Sequence, residues 1–309
     1  MFEYLFVSFI LLIFYAYFGY PLSLCTINLF KKNYCVFAVD SKLYYVTIII
    51  AAYNAEKLII DKIENTLSID YPKEILQVIV ASDGSTDKTN DIVTKYAAKG
   101  IELLHIRRRG GKENAQMEAI KRAKGEIFVF TDVGTMLDPK GLKQIVSNFQ
   151  DPSVGCVSGE DRLIEKDGSP SGEGFYVRYE MWLRKLESRV NSLVGLSGSF
   201  FAARSIVCKN FSNNHDSDFF TLLNCINIGL RGISDPLAIG YYHDISDQKL
   251  EYERKIRTVL RGMTGFFNNT EYLNFIRYGI FSYQYFCHKL LRWLVPVFLI
   301  IELMLNIIC

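Results

Sequence analysis

The chain has 309 residues, a formal net charge of +2 at pH 7 and an isoelectric point near 8.0. That length holds one large α/β domain with additional elements, and the near-neutral balance leaves no electrostatic footprint for nucleic acid or another polyanion. Seven cysteines, an odd total with no C-x-x-C spacing, exclude a disulfide framework and a zinc site; Cys156, Cys208 and Cys225 lie in apolar stretches and read as core residues of a reduced compartment.

From Tyr4 to Phe30 no side chain is charged. As a helix this run reaches about 40 Å, more than the roughly 30 Å hydrocarbon core of a bilayer. Residues 1–30 are therefore expected to form a transmembrane anchor, with Pro21 kinking or ending the helix early. A cleavable signal peptide fits less well, because Glu3 stands where a basic segment belongs and the run exceeds a signal core. Lys31 and Lys32 follow directly, so the positive-inside rule places the next segment in the cytoplasm.

Val46 to Ile50 and Val78 to Ala81 are continuous β-branched and apolar runs, the pattern of parallel strands covered on both faces. Between them Leu58, Ile59, Ile63 and Leu67 recur at helical spacing over residues 56–67, and Tyr71-Pro72 ends the helix. This is a βαβ unit, and its two strands end in the polar loops around Asn54 and Asp83-Gly84-Ser85-Thr86-Asp87. Ligands of open parallel sheets collect at such carboxyl ends. The second loop has two readings that the residues leave open: a nucleotide contact, or a turn that caps the following helix over residues 88–98.

Further along, Arg107-Arg-Arg-Gly-Gly-Lys112 precedes a helix through Ala123, and its three arginines suit a solvated turn. Gly125 to Asp132 reads as a strand that ends in an acid, and Val154 to Leu163 as another strand. A helix runs to Val190, and the glycines of Gly195-Leu-Ser-Gly198 allow close approach of a ligand or a tight turn. Asp216, Ser217 and Asp218 precede a helical pattern of Phe219, Leu222, Leu223 and Ile226, where Asp216 or Ser217 suits the N-cap. Arg254 and Arg257 lie one turn apart on one helix face, suited to a diphosphate or acceptor; with Lys255 and Arg261 they equally suit anionic lipid headgroups. Residues 266–288 are aromatic and weakly charged, an interfacial segment or a helix closing the domain. Residues 289–309 end in a second apolar run, an expected transmembrane helix at the short limit for a span, which carries only Glu302 after Trp293, with His288, Lys289 and Arg292 on its near side.

Taken together, Tyr53-Asn54, Ser82-Asp83-Gly-Ser-Thr-Asp87, Asp132 and Asp218 resemble a family 2 glycosyltransferase, with the resemblance reaching from residue 44 to about 265. Ala51 replaces the usual proline, Ala55 an acidic residue and Ser82 the first Asp of a pair. The resemblance implies a GT-A fold: an α/β, Rossmann-like, mostly parallel sheet flanked by helices. It implies donor contacts from Ala52, Tyr53, Asn54, Asp83, Lys112, Asp132, Arg254 and Arg257, and acceptor contacts from Ser197 and Gly198. Where the family has Asp-x-Asp holding a divalent ion, Mg²⁺ or Mn²⁺, this chain has Asp132-Val-Gly134; His243 is a possible substitute ligand. Asp218 aligns with the catalytic base, Ser217 replacing its acidic neighbour. The implied function is a membrane-bound inverting transferase with a cytoplasmic catalytic domain, in a bacterial-type inner or cell membrane. It would move a sugar from a nucleotide sugar, expected to be UDP-linked, to a lipid-linked or growing saccharide acceptor. The alternatives are a processive polysaccharide synthase, from whose Gln-x-x-Arg-Trp signature Glu253-Arg-Lys-Ile-Arg257 departs, and an inactive nucleotide-binding scaffold, motivated by Ser82, Gly134 and Ser217.

Overall fold

The computed structural model describes residues 2–31, 42–164, 174–211, 216–243 and 248–308. Its strands are β1 (Val46–Ala52), β2 (Leu76–Asp83), β3 (Ile101–Ile106), β4 (Ile127–Asp132), β5 (Thr135–Leu137), β6 (Val154–Ile164), β7 (Phe200–Arg204) and β8 (Arg231–His243). Its α-helices are α1 (Phe2–Phe14), α2 (Tyr20–Leu29), α3 (Ile59–Leu67), α4 (Thr89–Lys95), α5 (Lys112–Ile120), α6 (Gly141–Ser147), α7 (Phe175–Val190), α8 (Ser217–Asn227), α9 (Gln248–Phe267), α10 (Phe275–Tyr278), α11 (Ile280–Tyr285) and α12 (Arg292–Ile308).

The strands form one sheet in the order β3-β2-β1-β4-β7-β6-β8-β5. β1 to β4 are parallel, with Ile48 beside both Val78 and Val129, while β7 runs antiparallel between β4 and β6. β8 lies parallel to β6, with two register shifts, and β5 is antiparallel to β8 at the edge. Alternate side chains of the β-branched runs supply two cores. Ile48, Ile50, Val78 and Val80 pack with Ile59 and Ile63 of α3 and Leu142 and Ile145 of α6. Ile49, Ile79 and Phe130 pack on the other face with Ala115 and Ala119 of α5. The sheet is thus the α/β, mostly parallel layer that the apolar runs predict, since a strand with no polar face needs cover on both sides, and it agrees with the GT-A fold that the resemblance implies.

Chain order fixes where a ligand can sit. β1, β2 and β3 step outward in one direction and β4 returns to the other side of β1, so a crevice opens at the carboxyl ends of β1 and β4. Gly125 makes this return possible: a Cβ there would lie 2.6 Å from the Thr47 amide nitrogen. Helix α3 starts at Ile59, three residues later than the expected start at residue 56, because Asn54 takes a positive φ of 45° and the chain turns through Ala55, whose carbonyl accepts from Leu58 and Ile59.

The termini pack on each other. Among the described residues, two stretches are long and apolar enough to cross a membrane, Tyr4–Leu29 (26 residues) and Ile280–Ile307 (28 residues). Phe9 stacks on Phe298 at 5.1 Å, and Ala16, Leu291, Val295 and Phe298 are buried between them. Pro21 does not end the first helix. A π-helical turn, Tyr15–Gly19, precedes it, and the Tyr17 carbonyl, which would meet the missing proline N–H, accepts instead from Tyr179 Oη of α7 at 2.8 Å. Phe266, Tyr272, Phe281 and Tyr285 are buried against Val194, Phe219 and Leu223, so part of residues 266–288 packs onto α8; Phe275 and Ile276 remain exposed.

Candidate active site

The polar ends of β1 and β2 hold each other. Asn54, whose short side chain tolerates the left-handed region, accepts the Thr86 N–H on Oδ1 at 2.9 Å, and its own N–H donates to Ser85 Oγ at 3.1 Å. Asp87 accepts from the backbone of Glu56 and Thr89, so the capping half of the two readings of this loop falls to Asp87. Asp83 does something else. Its buried carboxylate receives the N–H groups of Gly110 at 2.9 Å and Gly111 at 2.7 Å, tying the end of β2 to the loop before α5. Gly84 permits that contact, with φ +68° and a would-be Cβ only 2.8 Å from the Arg109 nitrogen. Ala52 is buried at the end of β1. Tyr53 is exposed and carries the Arg109 guanidinium 3.8 Å from its ring centre, so this exposed arginine of the turn stacks on the rim of the crevice.

Across the crevice Lys112, the first residue of α5, reaches two strands. Its ammonium is 2.6 Å from Asp132 Oδ1 and donates to the Gly198 carbonyl at 2.8 Å. Burial opposes its charge, but Asp132 more than offsets this and the pKa is raised, so Lys112 stays cationic at any working pH. Below Asp132, Lys62 of α3 is fully buried; its ammonium donates to Thr131 Oγ1 at 2.9 Å and to the Thr135 carbonyl. Desolvation lowers its pKa to about 7, with Asp132 pulling the other way. Asp132 thus lies between the cationic Lys112 and the buried Lys62, whose charge is lost as pH rises through about 7.

The expected divalent ion fits this arrangement poorly. Gly134 offers no side chain, one Asp132 oxygen is engaged by Lys112, and no group of three His, Cys, Asp or Glu side chains among the described residues can hold a metal. His243 ends β8, and its side chain lies outside the described residues.

Asp218 sits in the first turn of α8, its Oδ2 3.4 Å from where a Cβ on Gly198 would stand. Only a glycine leaves that gap open. Burial raises the Asp218 pKa, against the pull of Lys112 and of the backbone N–H groups at the helix start. Ser197 lies beside it and donates to Asp161 Oδ2 at 2.6 Å; Ser199 donates to the other Asp161 oxygen. The backbone N–H of Asp132 donates to the Ser199 carbonyl at 3.2 Å. Residues 197–199 therefore join Lys112, Asp132, Asp161 and Asp218 into one constellation.

Arg257 projects to solvent from α9, and the Arg254 side chain lies outside the described residues. Among the described side chains of α9, Arg261 is the arginine that reaches the crevice, 3.3 Å from both Glu113 and Asp216. Two participants had no distinct sequence signal: Lys62 and Asp161. Asp161 carried a faint one, an acid pair directly after Gly159 on a strand.

Similarity to known proteins agrees with this geometry. The family pattern described as Glycosyl transferase family 2 matches residues 47–205. The chain is 22% identical over 229 residues to a poly-β-1,6-N-acetyl-D-glucosamine synthase of Staphylococcus epidermidis, covering 72% of this chain but only 52% of that protein. It spans about half the length of that relative. Among solved structures, the mannosyltransferase PcManGT from Pyrobaculum calidifontis in complex with GDP-Man and Mn²⁺ superposes with a TM-score of 0.76 at 23% identity, over 96% of this chain and 85% of that one. TarS residues 1–349 of S. aureus, in complex with UDP-GlcNAc, gives a TM-score of 0.50 at 19% identity over 74% and 66%. With a GT-A-type sheet, a polar crevice at its strand ends and a family match over half its length, the chain belongs to glycosyl transferase family 2 and is a glycosyltransferase.

Proposed function

We propose that this glycosyltransferase works with inversion at the cytoplasmic face of a membrane, moving a sugar from a nucleoside diphosphate sugar to a hydroxyl of a lipid-linked or growing saccharide. The observation that carries the reading is Asp218: a carboxylate held 3.4 Å from the gap at Gly198, on the segment whose carbonyl also binds Lys112. Asp218 takes the acceptor's hydroxyl proton while that oxygen bonds to the anomeric carbon. The bond from that carbon to the diphosphate breaks on the opposite face, and the leaving group carries away the electron pair. Its new charge is met by Lys112, which stays protonated.

Asp83, Asn54 and Tyr53 form the nucleotide side of the crevice in this reading, Asp132 and Lys112 the diphosphate side, and Ser197 and Gly198 the acceptor side. A divalent ion would have Asp132 as its carboxylate ligand and would supply further charge neutralisation at the diphosphate. The preference for a uridine-linked donor rests on the family resemblance. Polymer extension is a second reading, favoured by the likeness to a poly-β-1,6-N-acetyl-D-glucosamine synthase. A screen of nucleotide sugars for nucleoside diphosphate release, with sizing of the glycosylated product, tests both. Addition of one sugar supports the first reading and a ladder the second; no turnover of any nucleotide sugar contradicts both.

A further inference from the structure

The pairing of β6 with β7 stops short of the crevice. It runs from Cys156 beside Ala203 to Ser158 beside Phe201, and residues 197–199 continue past the last pair. Side chains take over from the ladder there. The Ser197 N–H donates to Ser158 Oγ at 2.8 Å, Ser197 Oγ donates to Asp161 Oδ2 at 2.6 Å, and Ser199 Oγ donates to Asp161 Oδ1. From β4 the Asp132 N–H holds the Ser199 carbonyl at 3.2 Å, and from α5 Lys112 holds that of Gly198 at 2.8 Å.

Among the described residues the Asp161 carboxylate bonds these two serines alone, one on each oxygen. Burial raises its pKa, against the pull of the serine hydroxyls and of Arg184, whose Nη2 donates to Ser158 Oγ at 2.7 Å. The network sets which way the hydroxyls point. With each O–H directed at Asp161, Ser197 and Ser199 turn lone pairs to a ligand, so a sugar hydroxyl entering the gap at Gly198 meets acceptors on the segment as well as on Asp218. Lys112 is a shared hold, since its ammonium also meets Asp132 and, in the transferase reading, the diphosphate. Asp161 serves the segment only.

We infer that Asp161 is a positioning residue for the acceptor: by fixing Ser197 and Ser199 it keeps the gap at Gly198 in register with Asp218, so that the attacking hydroxyl stands on the base. The proposal rests on the transferase reading and deepens it. Asp161 acts through the two serines and not on the reacting atoms. Its loss therefore misplaces a sugar, whose hydroxyl must be guided to the anomeric carbon, more than it hinders water, which reaches the same carbon in donor hydrolysis without such guidance.

The test compares transfer with hydrolysis. The full chain in membranes is given the nucleotide sugar that the wild type turns over, labelled in the sugar, and label in saccharide or lipid product is measured against free sugar. Asp161→Asn keeps the size of the side chain but offers one oxygen and two N–H donors, so one serine must turn its proton outward. The ratio of transfer to hydrolysis should fall by about tenfold or more. Hydrogen exchange should quicken over residues 195–200 and stay unchanged in β1 and β2. In a Ser197→Ala/Ser199→Ala background the same substitution should lower the ratio by less than about twofold, because the serines through which Asp161 acts are gone. An unchanged ratio in Asp161→Asn, a full further fall in the serine background, or exchange that quickens throughout the sheet overturns the proposal and leaves the transferase reading standing. No turnover of any donor by the wild type overturns both.

Discussion

Asp218 and Lys62 are titratable groups displaced from their ordinary ranges by burial, and each sets a pH signature. Burial raises the Asp218 pKa, so the acid limb of kcat/KM should lie above the ordinary aspartate value of about 3.9 and vanish into a low plateau in Asp218→Asn. A pH profile of transfer checks this. The same shift means that the folded chain holds this proton more tightly, so its stabilising contribution is present at low pH and is lost as pH rises through the raised value. Lys62 has the opposite sign. With its pKa lowered from 10.5 to about 7, the unfolded chain binds more protons between those values, and stability should rise with pH across that window. Denaturant midpoints measured from pH 7 to 10.5 should show this slope in the wild type and lose it in Lys62→Met. Lys62 also shows what a sequence hides: within an amphipathic pattern it counts as a polar position, yet it is wholly buried under Asp132 because Thr131 and Thr135 supply its acceptors.

At the scale of elements, the strand ends were legible and the far half of the site was not. β1, β2 and β4 announce themselves as apolar runs that stop at Asn54, Asp83 and Asp132, because strands buried on both faces leave no other pattern. The role of Asp83 was not legible in the same way, since its carboxylate binds backbone N–H groups of Gly110 and Gly111 that any sequence would provide. Nor was the contact of α7 with the terminal helices, where Glu187 meets His288 at 2.6 Å across 101 residues of chain. Two substitutions test these elements. Gly84→Ala forces a side chain into a positive φ and against the Arg109 backbone, and should cost about 1–3 kcal/mol while loosening nucleotide binding. Tyr179→Phe leaves the Tyr17 carbonyl opposite Pro21 without its donor, and should cost about 1–3 kcal/mol. Thermal or denaturant unfolding reads both.

The whole molecule is a catalytic sheet seated on a pair of apolar helices, joined through α7 and through the aromatic cluster around Tyr285. Arg292 with Glu180, and His288 with Glu187, fasten α7 to the second of these helices. The full chain should sediment with membranes and resist alkaline carbonate; release by carbonate would contradict the reading of Tyr4–Leu29 and Ile280–Ile307 as spans. The most direct measurement is nucleoside diphosphate release and sugar transfer by the full chain in membranes, run across nucleotide sugars with Mg²⁺, Mn²⁺ or chelator, comparing wild type with Asp218→Asn. The predicted result is turnover of a nucleotide sugar by the wild type, reduced by about 10² to 10⁴ in Asp218→Asn with nucleotide binding intact. Full transfer activity in Asp218→Asn, or binding of nucleotide with no turnover of any donor by the wild type, would contradict it.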